Sequence, residues 1–212
     1  MVLPDEIIHL GRERIKPFAC EGFVAYGGSF KEHIMIIGEA PGENEVIQGL
    51  PFIGRAGKVL DAMLEDIGVT RQDVYITSAV KSRPFQWKEK KLQRAWVCKK
   101  YNRPPTREEV LAHAPVLDYE LDRVQPRLII TLGKVGWNRV SGSTAMMSKI
   151  HGKLYTGPIL RMNGNEELEH SQKSYRVFPL YHPASLLYKP SLKEEMKKDL
   201  TTLKVLLLKM LS

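Results

Sequence analysis

Four short apolar runs, residues 34–38, 74–78, 127–133 and 176–181, each end at Gly, Pro or polar residues, and helix-like patterns fill the intervals between them. A run that is apolar at successive rather than alternate positions suits a strand covered on both faces, and strands that alternate with helices run parallel. The pattern predicts an α/β domain whose sheet is enclosed by helices. In the first helical interval Val59, Leu60, Met63, Leu64 and Ile67 recur at spacings of three and four, and Gly68 is placed to end the helix in the left-handed region. Thr106, with Glu109 three residues on, predicts a capped second helix that resumes after Pro115 and runs through Leu121 to Val124. The last helix is predicted over 192–211, where Leu192, Met196, Leu200, Leu203, Leu207 and Met210 make one apolar face that reads as core.

A chain of 212 residues with 43% hydrophobic residues is long enough for one domain with a full core, and we take 1–212 as that single domain. No run of 18 apolar residues and no secretory leader pattern occur, so the expectation is a cytoplasmic, nucleoid-associated protein with no membrane contact, acting as a monomer. Cys20 and Cys98 show no C-x-x-C spacing and read as reduced structural thiols. The net charge of +8 makes a polyanion the natural partner. A basic and aromatic insertion at about 86–105, "QWKEKKLQRAWVCKKYNR", reads either as a surface that follows phosphates or as a solvated face.

In open α/β sheets the reactive groups gather beyond the carboxyl ends of the strands, which brings Glu39, Ser78, Lys134 and His182 to one rim. After the first strand, Gly38, Pro41 and Gly42 permit a tight turn whose backbone amides can face a ligand.

Gly38-Glu39-Ala40-Pro41-Gly42 is followed by Gly49-x-Pro51-Phe52-x-Gly54-Arg55-Ala56-Gly57, Tyr75-Ile76-Thr77, Lys81-x-Arg83-Pro84, Leu132-Gly133 and His182-Pro183. This ordered set resembles the family 4 uracil-DNA glycosylases over roughly residues 34 to 205. The resemblance implies a three-layer α/β/α sandwich around a four-stranded parallel sheet. It also implies an enzyme that flips uracil, or another deaminated base, out of DNA and hydrolyses its N-glycosidic bond in base excision repair. Such chemistry needs an aromatic platform for the extruded base, polar groups that read its edge, and a carboxylate that stabilises an oxocarbenium-like state or positions water. The matched positions imply Glu39 as that carboxylate, His182 as hydrogen-bond donor to the leaving base, and Phe52 as the stacking ring. Ala40, Pro41, Gly42 and Ser78 complete the base pocket, with Glu45 supporting it. Arg55, Lys81, Arg83, Ser185 and Lys189 are the implied DNA contacts, and Leu187 the apolar wedge that fills the gap left by the flipped base.

The sequence departs from the family pattern in two ways. Family members usually hold a four-iron, four-sulfur cluster on four cysteines, whereas Ser82 and His113 stand at two of those positions and Phe23 beside the region of Cys20. A protein without cofactor or metal is therefore expected. Ser78 also replaces the base-reading Asn, and one hydroxyl cannot supply the donor and acceptor of an amide, so altered base preference is expected. The alternative is a binder of damaged or uracil-containing DNA that does not cleave it. An enzyme of free nucleosides fits the charge and the wedge less well.

Overall fold

The computed structural model describes residues 2–29, 33–92 and 95–211. In chain order its elements are α1 (Asp5–Ile15), β1 (Cys20–Glu21), β2 (Ile34–Gly38), α2 (Glu43–Gln48), α3 (Arg55–Asp66), β3 (Val74–Ser78), β4 (Arg83–Leu92) and β5 (Ala95–Asn102). There follow α4 (Arg107–Ala112), α5 (Ala114–Val124), β6 (Leu128–Leu132), α6 (Gly133–Ser141), α7 (Met147–Ile150), β7 (Tyr155–Met162), β8 (Leu168–Leu180), α8 (Pro183–Tyr188) and α9 (Leu192–Leu211).

The main sheet has the order β3-β2-β6-β8-β7. Every residue of β2, β3 and β6 is buried, as strands covered on both faces require. On one face Ile34, Ile36, Val74, Ile76, Leu128 and Ile130 meet Leu60, Met63 and Leu64 of α3 and Leu200, Leu203 and Leu207 of α9. On the other, Met35, Ile37, Tyr75 and Ile129 meet Leu117 and Leu121 of α5 and Trp137 and Val140 of α6. The strand period of two therefore divides one apolar run between two cores, giving the three-layer α/β/α sandwich. A small third cluster, Leu3, Phe23 and Val116, carries α1 on the outside of α5.

One expectation is corrected. The sheet contains the four parallel strands predicted, but a fifth, β7, pairs antiparallel with β8 at the edge. The strand predicted over 176–181 is only the inner end of β8, which begins at Leu168. Gly157 and Pro158 break the apolar pattern of β7, and only Gly157 and Ile159 are fully buried, as an edge strand tolerates and a central one does not. Helix ends follow the chemistry read from the sequence. Thr106 Oγ1 accepts from the Glu109 N–H at 3.3 Å and the Glu109 carboxylate accepts from the Thr106 N–H at 2.8 Å, an arrangement worth about 1 kcal/mol. Gly68 lies at φ 81° just past α3.

The insertion predicted at about 86–105 begins as a β-hairpin. β4 and β5 pair antiparallel from Phe85↔Asn102 to Leu92↔Ala95, and β1 joins β4 to make a second, three-stranded sheet. Its tip, residues 93 and 94, lies outside the described residues.

Candidate active site

Between the carboxyl ends of β2, β3 and β8 lies a cavity of about 350 Å³. Ala40, Pro41, Gly42, Glu45, Phe52, Arg55, Ser78 and His182 all line it. Two loops build it. Gly42 precedes α2 and Gly54 precedes α3, and the Glu45 carboxylate accepts from both of their N–H groups at 3.1 Å. One side chain thus ties the two halves of the pocket wall together. Phe52 has a left-handed φ of 52°, and Arg71 holds it there by donating to the carbonyls of Pro51 and Phe52. The Phe52 ring packs so close to Gly38 that a Cβ there would lie 2.6 Å from it, so the end of β2 needs glycine. The main chain at Phe52 likewise needs Gly57, where a Cβ would lie 1.7 Å from the Phe52 carbonyl oxygen.

His182 N-caps α8. Its Nδ1 accepts from the Ala184 N–H at 3.2 Å, which places the imidazole proton on Nε2. Burial pushes its pKa down to about 4, so the ring is a neutral Nε2–H donor at physiological pH. It lies 5.8 Å from the Phe52 ring, centre to centre. Glu39 directly follows β2, one residue before the lining residues Ala40 to Gly42, and is half-buried. Its backbone carbonyl accepts from the Val80 N–H at 3.1 Å. Burial raises the pKa of its carboxyl group, which makes the carboxylate a stronger base than an exposed one. Ser78 Oγ donates to the Val80 carbonyl at 2.7 Å, leaving its oxygen lone pairs as acceptors.

Residues 25–204 match the sequence profile of the Uracil DNA glycosylase superfamily. The chain belongs to that superfamily. It is 37% identical over 182 residues to the Type-4 uracil-DNA glycosylase of Saccharolobus solfataricus, covering 84% of this chain and 72% of that protein. The Type-4 uracil-DNA glycosylase of Archaeoglobus fulgidus is 36% identical over 176 residues, 81% of this chain and 75% of its own length. That of Thermotoga maritima is 31% identical over 195 residues, 88% and 86% of the two chains.

Within this superfamily member, two of the expected DNA contacts are corrected. Lys81 is 3% exposed and paired with Glu120 at 2.5 Å, while Tyr75 and Thr77 also donate to that carboxylate. Arg83, also 3% exposed, spends its guanidinium on Glu21 at 2.7 Å and on Asn102 Oδ1 at 2.6 Å. Neither can reach a phosphate. Lys81 is buried against Glu120 of α5, and Arg83 opens β4 beside Glu21 of β1, placements that a Lys-x-Arg spacing does not reveal. Arg55 and Lys189 are exposed, and Ser185 is half-buried. Leu187 is half-buried and faces a separate, apolar groove between α3, α8 and α9, whereas Tyr188 beside it is 77% exposed.

Asn102 was hidden in the basic interval, yet it lines the pocket from the root of the hairpin. Because its Oδ1 accepts from Arg83, its NH₂ group, with no hydrogen-bond partner among the described residues, is the end left for a ligand. The residue that could have flagged it is Arg83, a buried cation that needs an acceptor.

Two of the positions at which the family resemblance implies cluster cysteines are occupied by other side chains. His113 Nδ1 accepts from the Lys81 N–H at 2.9 Å and its Nε2 lies 3.1 Å from the Gly11 carbonyl, so neither ring nitrogen has a lone pair for a metal. Its ring meets Phe23 edge-on at 5.7 Å. Ser82 is fully buried and offers a hydroxyl, not a thiolate. Burial and nearby Glu109 push the Cys20 thiol up to about 12, and Cys98 is exposed on the hairpin. This donor set does not fit a four-thiolate cluster. Among the described residues no helix is long and apolar enough to cross a membrane.

Proposed function

We propose that this chain is a DNA glycosylase that binds a uracil or other deaminated nucleotide flipped from DNA and hydrolyses its N-glycosidic bond, acting as a monomer without a metal or iron-sulfur cluster. The observation that carries the reading is a neutral His182 Nε2–H donor lining the Phe52 pocket together with a half-buried Glu39, next in sequence to the pocket residues Ala40 to Gly42, whose carboxylate has raised basicity. The base stacks on Phe52. As the C1′–N bond breaks, its electron pair leaves with the base, and His182 donates to a carbonyl oxygen on which negative charge grows. Glu39 faces the opposite charge, stabilises the oxocarbenium-like sugar and accepts a proton from the water that adds to C1′. Its burial supports this role, since the same carboxylate in bulk water would be a weaker base.

Base choice follows from two groups that point different ways. Ser78, its proton committed to Val80, accepts from a ring N–H, and the Asn102 NH₂ donates to a carbonyl. Together they do what one amide does, and they favour keto bases over bases with an amino group at that edge. At the duplex surface, Leu187 and Tyr188 are the apolar wedge candidates, with Arg55, Ser185 and Lys189 on the phosphates.

The test is an abasic-site cleavage assay on matched oligonucleotides carrying uracil, hypoxanthine, xanthine or cytosine. Cleavage of the first three in preference to cytosine, abolished in Glu39→Ala, is the expected result. Tight binding of uracil-containing DNA with no abasic product from folded wild-type protein would establish the non-cleaving binder instead.

A further inference from the structure

The β4–β5 hairpin carries its residues in cross-strand pairs, and directly paired residues share one face. Starting from Asn102, which lines the base pocket, that face runs Phe85/Asn102, Trp87/Lys100, Glu89/Cys98 and Lys91/Trp96. Trp87 is 60% and Trp96 68% exposed, an unusual outlay of apolar surface for a hairpin that packs on nothing at its outer end among the described residues. Lys100 Nζ sits 4.3 Å from the Phe85 ring centre and 5.2 Å from that of Trp87, and it is ion-paired to Glu21. The inner aromatic pair is thereby fixed in place, with Phe85 and Trp87 edge to face at 6.1 Å. Five lysines and one glutamate lie between residues 85 and 102.

Rings at intervals along a strand, interleaved with cations and continuous with a pocket for a single base, match what unpaired nucleic acid offers: π-faces in a row beside a phosphate chain. A duplex hides those faces. We infer that the pocket-side face of this hairpin is a platform on which unpaired bases flanking the flipped nucleotide stack, with Trp87 and Trp96 as the stacking rings, so that the protein favours single-stranded over duplex DNA. Same-face residues two apart on a strand lie about 7 Å apart, so the stretch from Phe85 to Trp96 spans several nucleotides rather than one. The inference rests on the glycosylase reading for its direction, since it runs outward from the base pocket, but not for its test.

Tryptophan fluorescence with an oligothymidylate single strand isolates the platform, because that strand has no base the enzyme is proposed to remove and the remaining tryptophan, Trp137, is buried. The wild type should be quenched on binding. Trp87→Ala and Trp96→Ala should each weaken Kd roughly 5- to 150-fold, with Trp→Phe restoring most of the affinity and the salt dependence unchanged. Lys91→Ala should instead lower the salt dependence. Duplex of the same sequence should be affected far less by either Trp variant. Unchanged affinity for the single strand in both Trp→Ala variants overturns the inference, as does an equal loss on duplex. So does a change confined to self-association in sedimentation. If no base is cleaved but these binding losses appear, the platform stands and only the glycosylase reading falls. If cleavage is real, the Trp variants should raise KM on single-stranded uracil substrate and leave kcat unchanged.

Discussion

Two clusters of polar groups, one between β3 and α5 and one following β2 and β8, are used in opposite ways. In one, Lys81, Glu120, Thr77, Tyr75 and His113 satisfy one another within the protein. In the other, Glu39 owes its raised pKa to burial alone, with no charge partner contributing, and His182, which lines the pocket, keeps its proton on Nε2. Burial shifts the pKa of Lys81 downward as it shifts that of Glu39 upward, yet only Lys81 has an opposite charge beside it to oppose the shift. Desolvation is common to both clusters; the missing partner is what distinguishes a site from a scaffold. Each cluster can be broken separately, and the two should fail in different currencies, one in rate and one in stability.

The largest effect belongs to Glu39→Gln, expected to lower kcat by roughly 10²- to 10⁴-fold. The same change should raise the thermal midpoint. A carboxyl group whose folded pKa lies above its unfolded value favours the fold when protonated and opposes it once ionised, so the gain should be present at pH 7 and vanish in acid. In the wild type, kcat/KM should fall as pH drops through the Glu39 pKa, which burial raises above the ordinary value of 4.5, before His182 protonates near 4. A variant that loses rate and stability together would place Glu39 in the scaffold class.

Lys81→Met is the converse. Leaving Glu120 buried without its cation should cost about 3–5 kcal/mol in chemical denaturation, while the folded fraction keeps kcat near wild type. Adding Glu120→Met should recover part of the loss, since two apolar groups need no partner. A catalytic defect larger than the stability defect would show that Lys81 acts in the pocket after all.

These contrasts also mark what was legible in the sequence. The three fully buried strands, the capped helix at Thr106 and the long last helix are fixed by local patterns, and all appear where periodicity put them. The edge strand β7 was missed because most of its residues are only half-buried and Gly157 and Pro158 interrupt it. Lys81 and Arg83 were misread for a different reason. A basic residue after a strand looks the same whether it meets solvent or a buried carboxylate, and only the three-dimensional position of Glu21 and Glu120 separates the cases. Asn102 shows the same limit from the other side, since its role depends on Arg83 holding its oxygen 19 residues away.

The two clusters share one acid weakness. His113 and His182 are both held neutral by burial, each with its pKa lowered to about 4 from an ordinary 6.5. A histidine with a depressed folded pKa contributes stability that is complete above its unfolded value and is lost as pH falls toward the folded one. Denaturation midpoints should therefore decline between pH 6.5 and 4, each histidine accounting for up to roughly 3 kcal/mol across the window. His113→Gln and His182→Gln should each flatten the decline by a similar amount, but only the second should also slow cleavage. A pH profile that neither substitution changes would mean that these imidazoles protonate in place.

The smallest effect tests whether the open cluster depends on scaffolding of its own. Glu45 accepts from the Gly42 and Gly54 N–H groups with separate oxygens, and it is the side chain that holds the two loops of the pocket to each other. Glu45→Gln keeps one carbonyl acceptor and turns the other contact into an N–H facing an N–H, at an expected cost of about 1–2 kcal/mol. The break falls between the turn that follows Glu39 and the loop that presents Phe52, so the carboxylate and the stacking ring lose register with each other while the sheet stays intact. KM for a uracil oligonucleotide should rise and kcat fall, both by less than in Glu39→Gln. The pH at which the acid limb begins should not move, because Glu45 sets the position of Glu39 and not its desolvation. A shifted limb would mean that Glu45 contributes charge to the site, and the division between partnered scaffold and unpartnered site would then have to be drawn inside the pocket rather than around it.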